Sequence, residues 1–149
     1  MSLRERTFDE FSVGEKIVTP AITITDAHNT IFCGLVGDFD PIHTDDEYCK
    51  QTPFKTRIVP GHLTASMVDG AIDPLFRRTI VALLGVSYKF KAPVRIADTI
   101  HTEAEVIEKR PSRNHPEAGI VKFGVKSLNQ KNEVVLEGEY TVLSLKKRE

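Results

Sequence analysis

Residues 37–46, with the sequence GDFDPIHTDD, bring four aspartates close to a single histidine. Carboxylates at this density repel one another, so their charges must be solvated, paired or used. A carboxylate and an imidazole can converge on one water molecule and activate it, which is general acid–base chemistry. Asp38 and His43, separated by the turn-forming Pro41, are the candidates for such a pair. Their spacing alone leaves two hypotheses open, an acid–base pair and a solvated turn with helix caps.

A calcium loop is a second chemistry that the four aspartates suggest, because they offer oxygen ligands. The EF-hand loop needs oxygen ligands at alternate positions, a central glycine and a glutamate at its twelfth position. Here Pro41 and Ile42 occupy the middle of the segment, and no glycine follows them within it. We therefore expect these residues to hold no metal ion.

The later aspartates of the segment suit a structural role. Thr44 and Glu47 have the spacing of a capping box, which predicts a short helix over residues 45–50. Asp45 and Asp46 then lie in its first turn, where the helix dipole stabilises negative charge. This interpretation leaves the earlier carboxylates of the segment available for chemistry.

The elements that position this segment include a helix on each side of it. Apolar residues at helical spacing follow Asp26, the predicted N-cap, and Gly37 is predicted to end that helix. A second helical pattern begins near Gly61 and is rich in small residues, which allow it to pack closely against a sheet. Pro74 is predicted to bend or end this second helix.

Strand patterns surround the helices and dominate the second half of the chain. Residues 16–25 are β-branched but interrupted by Pro20, which predicts an edge strand or a bent strand. Four further β-rich runs follow, at residues 79–90, 98–109, 119–130 and 133–145. A long helix followed by an antiparallel meander predicts an α+β fold, with one curved sheet wrapped around the helix. Such a sheet leaves edges and a face uncovered, so we expect a homodimer.

Composition predicts one domain, residues 1–149, and excludes several classes of partner. The net charge of −1 gives no long-range attraction to nucleic acid or to an anionic membrane. No apolar run approaches the roughly 20 residues that span a bilayer. Cys33 and Cys49 cannot build a disulfide framework and suggest reduced thiols in a cytoplasmic protein. We expect residues 1–10 to be loose and residues 146–149 to form a solvated tail.

Three longer motifs contain or follow the candidate residues. The first is D-x-N-P-x-H, which Asp38, Pro41 and His43 match. The second is an I-V-x-G step into the central helix, which residues 58–61 match. The third is F-x-x-P-V-x-x-G-D-T, which residues 90–99 match except that alanine replaces the glycine. With these motifs the chain resembles the MaoC-like dehydratases and (R)-specific enoyl-CoA hydratases, which share the hot-dog fold.

The resemblance implies reversible addition of water to a trans-2-enoyl-CoA, giving an (R)-3-hydroxyacyl-CoA. It implies that Asp38 and His43 hold and activate the water, and that the backbone N–H of Gly61 stabilises the enolate-like thioester carbonyl. From sequence alone, Gly61 equally suits a turn after a proline. The residues expected to bind the substrate are Asp40, Pro60 and His62. No cofactor is implied, because the CoA moiety is part of the substrate.

Three positions depart from the family pattern. Asp40 stands where the family has an asparagine that supports the catalytic loop, and an aspartate before a proline is also typical of turns. Pro60 stands where a histidine is frequent, and His62 follows instead. Ala97 replaces a turn glycine, a change that we expect to affect only the hairpin.

Two other functions stay open on the sequence. An acyl-CoA thioesterase on the same fold would need a carboxylate aimed at the thioester carbonyl, and Asp69 on the long helix is the candidate. A non-catalytic acyl-CoA-binding subunit is the second alternative, and it is suggested by the aspartate at position 40 in place of the asparagine.

Overall fold

The computed structural model describes residues 3–147 of the chain. The strands are β1 (Lys16–Val18), β2 (Ile22–Thr23), β3 (Ile80–Phe90), β4 (Thr99–Pro111), β5 (Ala118–Leu128) and β6 (Val134–Leu145). The helices are α1 (Asp26–Val36), α2 (Pro41–Thr44), α3 (Asp46–Lys50) and α4 (Gly61–Ile72). Across residues 3–147, no helix is long and apolar enough to cross a membrane.

All strand pairs are antiparallel, and the main path of the sheet runs β1-β4-β5-β6-β3, with β2 also pairing with β4. The last three strands form a meander, but β3 does not pair with β4. It pairs instead with β6, from Ile80 opposite Ser144 to Phe90 opposite Leu136. The prediction of a meander in chain order is therefore wrong for its first strand. The α+β class is confirmed. The strand predicted over residues 16–25 is interrupted around Pro20, as expected, and is divided there into β1 and β2.

The core lies between α4 and the inner face of the sheet. In β4 the alternation predicted from the sequence is confirmed, since the inward residues Ile100, Thr102, Ala104 and Val106 are all buried. From α4 the buried residues are Leu63, Thr64, Val68 and Ile72. Three phenylalanine rings, Phe11, Phe76 and Phe123, pack together with centroids 5.3, 5.7 and 5.8 Å apart. These contacts fix α4 against the sheet, and they thereby fix the position of Gly61, its first residue.

The N-terminal segment is attached to the sheet, so the prediction of a loose segment is wrong for residues 3–10. Phe8 is buried, and its ring lies over Gly119 of β5, where a larger residue would clash with it. Arg6 holds Glu15 with two hydrogen bonds of 2.7 and 2.8 Å, and this pairing lowers the pKa of Glu15 below its usual value. Arg6 and Glu15 are nine residues apart in the sequence, and Phe8 and Gly119 are more than a hundred apart. Local sequence patterns reveal neither contact.

The C-terminal residues are attached as far as residue 147. The backbone N–H of Lys146 donates to the carbonyl of Glu117 at 2.9 Å, and that of Lys147 donates to Asp9 at 2.7 Å. The tail predicted at residues 146–149 is therefore bonded to the rest of the chain at its first two residues. Positions 1, 2, 148 and 149 lie outside the described residues.

The N-cap of helix α1 lies one residue earlier than predicted. Thr25 is the N-cap and accepts the backbone N–H of His28, so Asp26 is the first helical residue instead. Gly37 ends the helix in the left-handed conformation, with φ of 78°, as predicted. The apolar side chains Ile31 and Leu35 are nevertheless exposed, because no described residue covers that face of α1.

Ala97 adopts a left-handed backbone conformation, with φ of 75°, in an exposed turn. An alanine Cβ is strained there and a glycine is not, so Ala97→Gly is expected to stabilise the fold by about 1 kcal/mol. For a chain of this length that corresponds to a rise in Tm of roughly 2–4 °C, measured by thermal unfolding. Ala27→Gly, in the exposed first turn of α1, is the matched control and should lower Tm instead. A lower Tm for Ala97→Gly would contradict the assignment of strain.

Candidate active site

His43 lies in α2 and is 7 % exposed, and a hydrogen bond to the backbone fixes the orientation of its ring. The ring nitrogen Nδ1 is 2.7 Å from the backbone carbonyl oxygen of Ile58. Because a carbonyl oxygen can only accept, Nδ1 must carry the proton of this hydrogen bond. In the neutral ring the lone pair then lies on Nε2, which is the nitrogen that faces Asp38.

Asp38 comes directly after the left-handed glycine that ends α1, and its side chain is 42 % exposed. Its Oδ2 atom is 3.7 Å from Nε2 of His43. This separation is too long for a direct hydrogen bond and suits two groups that share a third, such as a water molecule. The structure thus brings together the two residues that the sequence proposed as an acid–base pair.

Asn29 is a residue of this site that sequence reasoning missed. It lies on α1, is 1 % exposed, and donates from its side-chain amide to the backbone carbonyl of His43 at 2.9 Å. Its amide oxygen faces the thiol of Cys33 at 3.8 Å. A buried amide must find hydrogen-bond partners, so this contact ties α2 to α1. The only available signal was a polar residue within an apolar helix pattern, and that signal does not identify its partner.

Further hydrogen bonds of Arg57 and Ile58 hold residues 42–46 in place. The N–H of Ile58 donates to the carbonyl of Ile42 at 3.1 Å, while the Ile58 carbonyl accepts from His43. The Arg57 guanidinium donates to Asp46 at 2.8 Å and to Asp26 at 2.9 Å, so it joins the first turns of α3 and α1. These hydrogen bonds to Asp46 and Asp26 raise the pKa of Arg57. Asp46 therefore has a partner that the sequence did not reveal.

The caps of the short helices differ from those predicted. Thr44 does not open a capping box, because its hydroxyl donates to the carbonyls of Phe39 and Asp40 at 3.3 and 3.1 Å. Asp45 is the N-cap of α3 and accepts the N–H of Tyr48 at 2.9 Å. The predicted capping box is therefore wrong, although a helix starts where it was expected. Threonine and aspartate compete as caps, and the aspartate is the better placed of the two.

Asp40 is the N-cap of α2 and accepts the N–H of Ile42 at 3.0 Å. An asparagine oxygen could accept the same hydrogen bond, so the aspartate performs locally what the family's asparagine could do. Its expected role in substrate binding stays a prediction. Across residues 3–147, no three histidine, cysteine or acidic side chains are grouped so that they could hold a metal ion.

Gly61 is the first residue of α4, and its φ is not in the left-handed region. The interpretation of Gly61 as a turn glycine therefore has no support from its backbone. The close approach of Phe90 explains a glycine better, since a Cβ at position 61 would lie 3.2 Å from that ring. Within residues 3–147 no acceptor is bonded to the Gly61 N–H, which points out of the helix start with the positive end of the helix dipole.

The neighbours of Gly61 differ in exposure. Pro60 is buried, and its carbonyl accepts the N–H groups of Leu63 and Thr64 at 3.0 and 3.3 Å. His62 is exposed, and its ring packs edge-on against Phe90 with 6.4 Å between centroids. Their expected contacts with the substrate stay predictions.

One short segment links the two halves of the site. Ile58, which orients His43, precedes Gly61 by three residues, and an extended chain of that length spans at most about 11 Å. A nucleophilic water held by Asp38 and His43 and a carbonyl oxygen bonded to the Gly61 N–H could therefore belong to one small substrate. The arrangement offers a base, a carboxylate and an oxyanion donor.

Comparisons with known proteins place the chain among relatives with related activities. The family model described as MaoC like domain matches residues 10–128. The chain is 32 % identical to an (R)-specific enoyl-CoA hydratase of Rhodospirillum rubrum over 136 residues, 91 % of this chain and 90 % of that protein. It is 30 % identical to a 3-hydroxybutyryl-CoA dehydratase of Methylorubrum extorquens over 148 residues, 99 % of this chain and 89 % of that protein.

A solved structure confirms the hot-dog prediction at the level of the fold. It is a conserved hypothetical protein of Mycobacterium tuberculosis with a double hot-dog fold, and it superposes with a TM-score of 0.85 at 16 % identity. The match covers 100 % of this chain and 47 % of that one. At this identity the likeness concerns the fold and carries no statement about activity.

Proposed function

Because the chain belongs to the MaoC-like domain family, we propose that it catalyses the reversible hydration of a trans-2-enoyl-CoA to an (R)-3-hydroxyacyl-CoA. The observation that carries the proposal is the pair Asp38 and His43, with Oδ2 and Nε2 separated by 3.7 Å and Nδ1 of the ring bonded to a carbonyl. Relatives whose names describe hydratases and dehydratases support a hydro-lyase at the level of the family.

The proposed reaction begins with a water molecule held between Asp38 and His43. As the water oxygen forms a bond to Cβ, one of its protons passes to this pair, and the π electrons of the double bond move to the thioester oxygen. The Gly61 N–H and the α4 dipole stabilise that oxygen as it becomes negative. The pair then returns a proton to Cα, which restores the thioester carbonyl and leaves one water added overall. We keep Asp40, Pro60 and His62 as proposed contacts to the substrate.

We also propose that the protein is a homodimer of the cytoplasm that uses no cofactor. β3 is the last strand of the sheet, with β6 as its one strand neighbour among the described residues, and its side chains Val81, Leu83, Leu84 and Val86 are exposed. An apolar edge strand of 11 residues is a template for pairing with a second chain. Sedimentation or light scattering would report the mass, and a monomer at micromolar concentration would contradict the dimer.

A direct assay tests the proposed reaction. Mixed with crotonyl-CoA or with longer trans-2-enoyl-CoA thioesters, the protein should remove the absorbance of the conjugated thioester, and chiral analysis should find the (R) product. The same mixtures would detect free thiol, which a thioesterase would release and a hydratase would not. Binding of acyl-CoA without turnover at any chain length would instead favour the non-catalytic subunit and would contradict the proposal.

A further inference from the structure

A group of polar side chains lies between α4 and the sheet, and the proposed reaction does not use it. Asp69, on α4, accepts a hydrogen bond at Oδ1 from the hydroxyl of Tyr88, on β3, at 2.6 Å. Tyr140, on β6, is 4 % exposed and lies within range of the Asp69 charge. We call these three residues the polar cluster.

The register of the sheet places both tyrosines of the cluster on one face. Tyr88 lies opposite Gly138, and Tyr140 lies opposite Val86, so the two tyrosines are diagonal neighbours on adjacent strands. The same face carries the buried Leu136, and it is therefore the inner face that packs against α4. The cluster thus lies inside the curve of the sheet.

The hydrogen-bonding capacity of the cluster is incomplete. Tyr88 satisfies one oxygen of Asp69, but no donor in residues 3–147 is bonded to the other oxygen, Oδ2. The hydroxyl of Tyr140 likewise has no hydrogen-bond partner among those residues, and although most of the side chain is buried, the hydroxyl itself is accessible. Burial raises the pKa of Asp69, and burial together with the nearby negative charges raises the pKa of Tyr140 to about 12. Oδ2 of Asp69 can therefore accept a hydrogen bond and the Tyr140 hydroxyl can donate one, and both groups are partly desolvated.

The cluster is aligned with the start of α4. Phe90, which covers Gly61 and contacts His62, is two residues from Tyr88 on β3 and points to the same face. On the helix, Asp69 follows His62 by seven residues and so lies on the same side two turns later. Gly61 and the cluster are therefore about 12 Å apart along α4, and we call the strip of residues between α4 and β3 that joins them the seam. Ala65, a small residue, lies along it.

We propose that this seam binds the acyl chain of the substrate and that the polar cluster recognises a hydroxyl group on that chain, roughly six to eight carbons from the thioester carbonyl. The inference rests on the proposed function, because the carbonyl is placed at the Gly61 N–H. The hydroxyl donates to Oδ2 of Asp69 and accepts from Tyr140, which satisfies both open positions. A wholly apolar chain of the same length desolvates the carboxylate and returns no hydrogen bond, so it binds less well.

Binding of saturated thioesters tests this inference without depending on turnover. Calorimetry would compare octanoyl-CoA with 8-hydroxyoctanoyl-CoA, which differ by one terminal hydroxyl. The wild-type protein is expected to bind the hydroxylated thioester at least about tenfold more tightly, as one charge-assisted hydrogen bond allows. In Asp69→Leu the preference is expected to disappear or reverse, since leucine offers an apolar surface. Asp69→Asn keeps the shape of the side chain, and its weakened preference provides a second measurement if the leucine variant does not fold.

Asp73→Asn is the matched control, because Asp73 is an exposed carboxylate one turn beyond Asp69. It should keep the wild-type preference. Equal affinities of the wild type for the two thioesters, or a preference that persists unchanged in the Asp69 variants, would overturn the inference. Crotonyl-CoA is too short to reach the cluster, so its hydration reports the proposed function separately. Loss of crotonyl-CoA turnover in the wild type would refute the reaction and leave the binding comparison valid.

Discussion

Replacing His43 with glutamine, or Asp38 with asparagine, is expected to lower kcat with crotonyl-CoA by about 10²–10⁴-fold. A glutamine amide can still donate to the Ile58 carbonyl, but it has no basic nitrogen to face the water. An asparagine at position 38 keeps the size of the carboxylate and removes its charge. Because both groups act on one water, the double variant should lose little more than the more damaging single variant. Steady-state kinetics of the three variants would measure this.

Two neutral substitutions serve as controls for these variants. Asp45→Asn removes a carboxylate from the same segment, and asparagine caps a helix as well as aspartate does. His115→Gln changes a half-exposed histidine in a distant loop. Both should retain activity within a few-fold, and thermal unfolding should show that all variants are folded. Wild-type kcat in either His43→Gln or Asp38→Asn would remove that residue from the mechanism.

Replacing Gly61 with proline is expected to lower kcat by about 10²–10³-fold, the usual effect of removing one oxyanion donor. Proline removes the N–H from the reaction but is well tolerated as the first residue of a helix. Pro60, which precedes it, already has φ of −53° and ψ of 138°, the extended conformation that a following proline requires. The substitution therefore removes the donor while α4 keeps its start.

Gly61→Ala separates the loss of the donor from the loss of space. It keeps the N–H and adds a Cβ that would lie 3.2 Å from the ring of Phe90, a half-exposed side chain that can shift. Its kcat is expected to fall by no more than about tenfold, so the ratio between the alanine and proline variants measures the replacement of the N–H by the proline ring, with the effect of the Cβ removed. Equal kcat in the two variants would show that the Gly61 N–H does not stabilise the transition state.

Local features of the chain that depend on nearby residues were predictable from the sequence. Gly37 ends α1 because it can adopt a positive φ, and a helix begins at Gly61 directly after Pro60. The alternation of β4 predicted its buried face. The capping box at Thr44 failed because two neighbouring residues could cap, and the choice between them depends on which carbonyls the threonine hydroxyl can reach.

Contacts between distant residues were not predictable in the same way. β3 pairs with β6 and not with β4, because strand partners depend on how the sheet closes around α4 and not on the pattern within a strand. Phe8 packs on Gly119 across more than a hundred residues, so a segment that reads as charged and loose is attached. Asn29 of α1 donates a hydrogen bond to the backbone carbonyl of His43, and the His43 ring donates one to the carbonyl of Ile58, in the segment before α4. These two bonds between distant parts of the chain fix His43.

By itself, the sequence determined which residues are available for chemistry: Asp38 and His43 around a fixed proline turn, and a glycine at the start of the central helix. Residue type and local spacing are sufficient for this, because turns, caps and helix starts are decided by interactions within a few residues. Only the tertiary structure decided which nitrogen of His43 faces Asp38, and that Asp69 accepts a hydrogen bond from Tyr88 inside the sheet. Both arrangements depend on hydrogen bonds between elements that folding brings together, and a buried polar group has no preferred partner until it is buried.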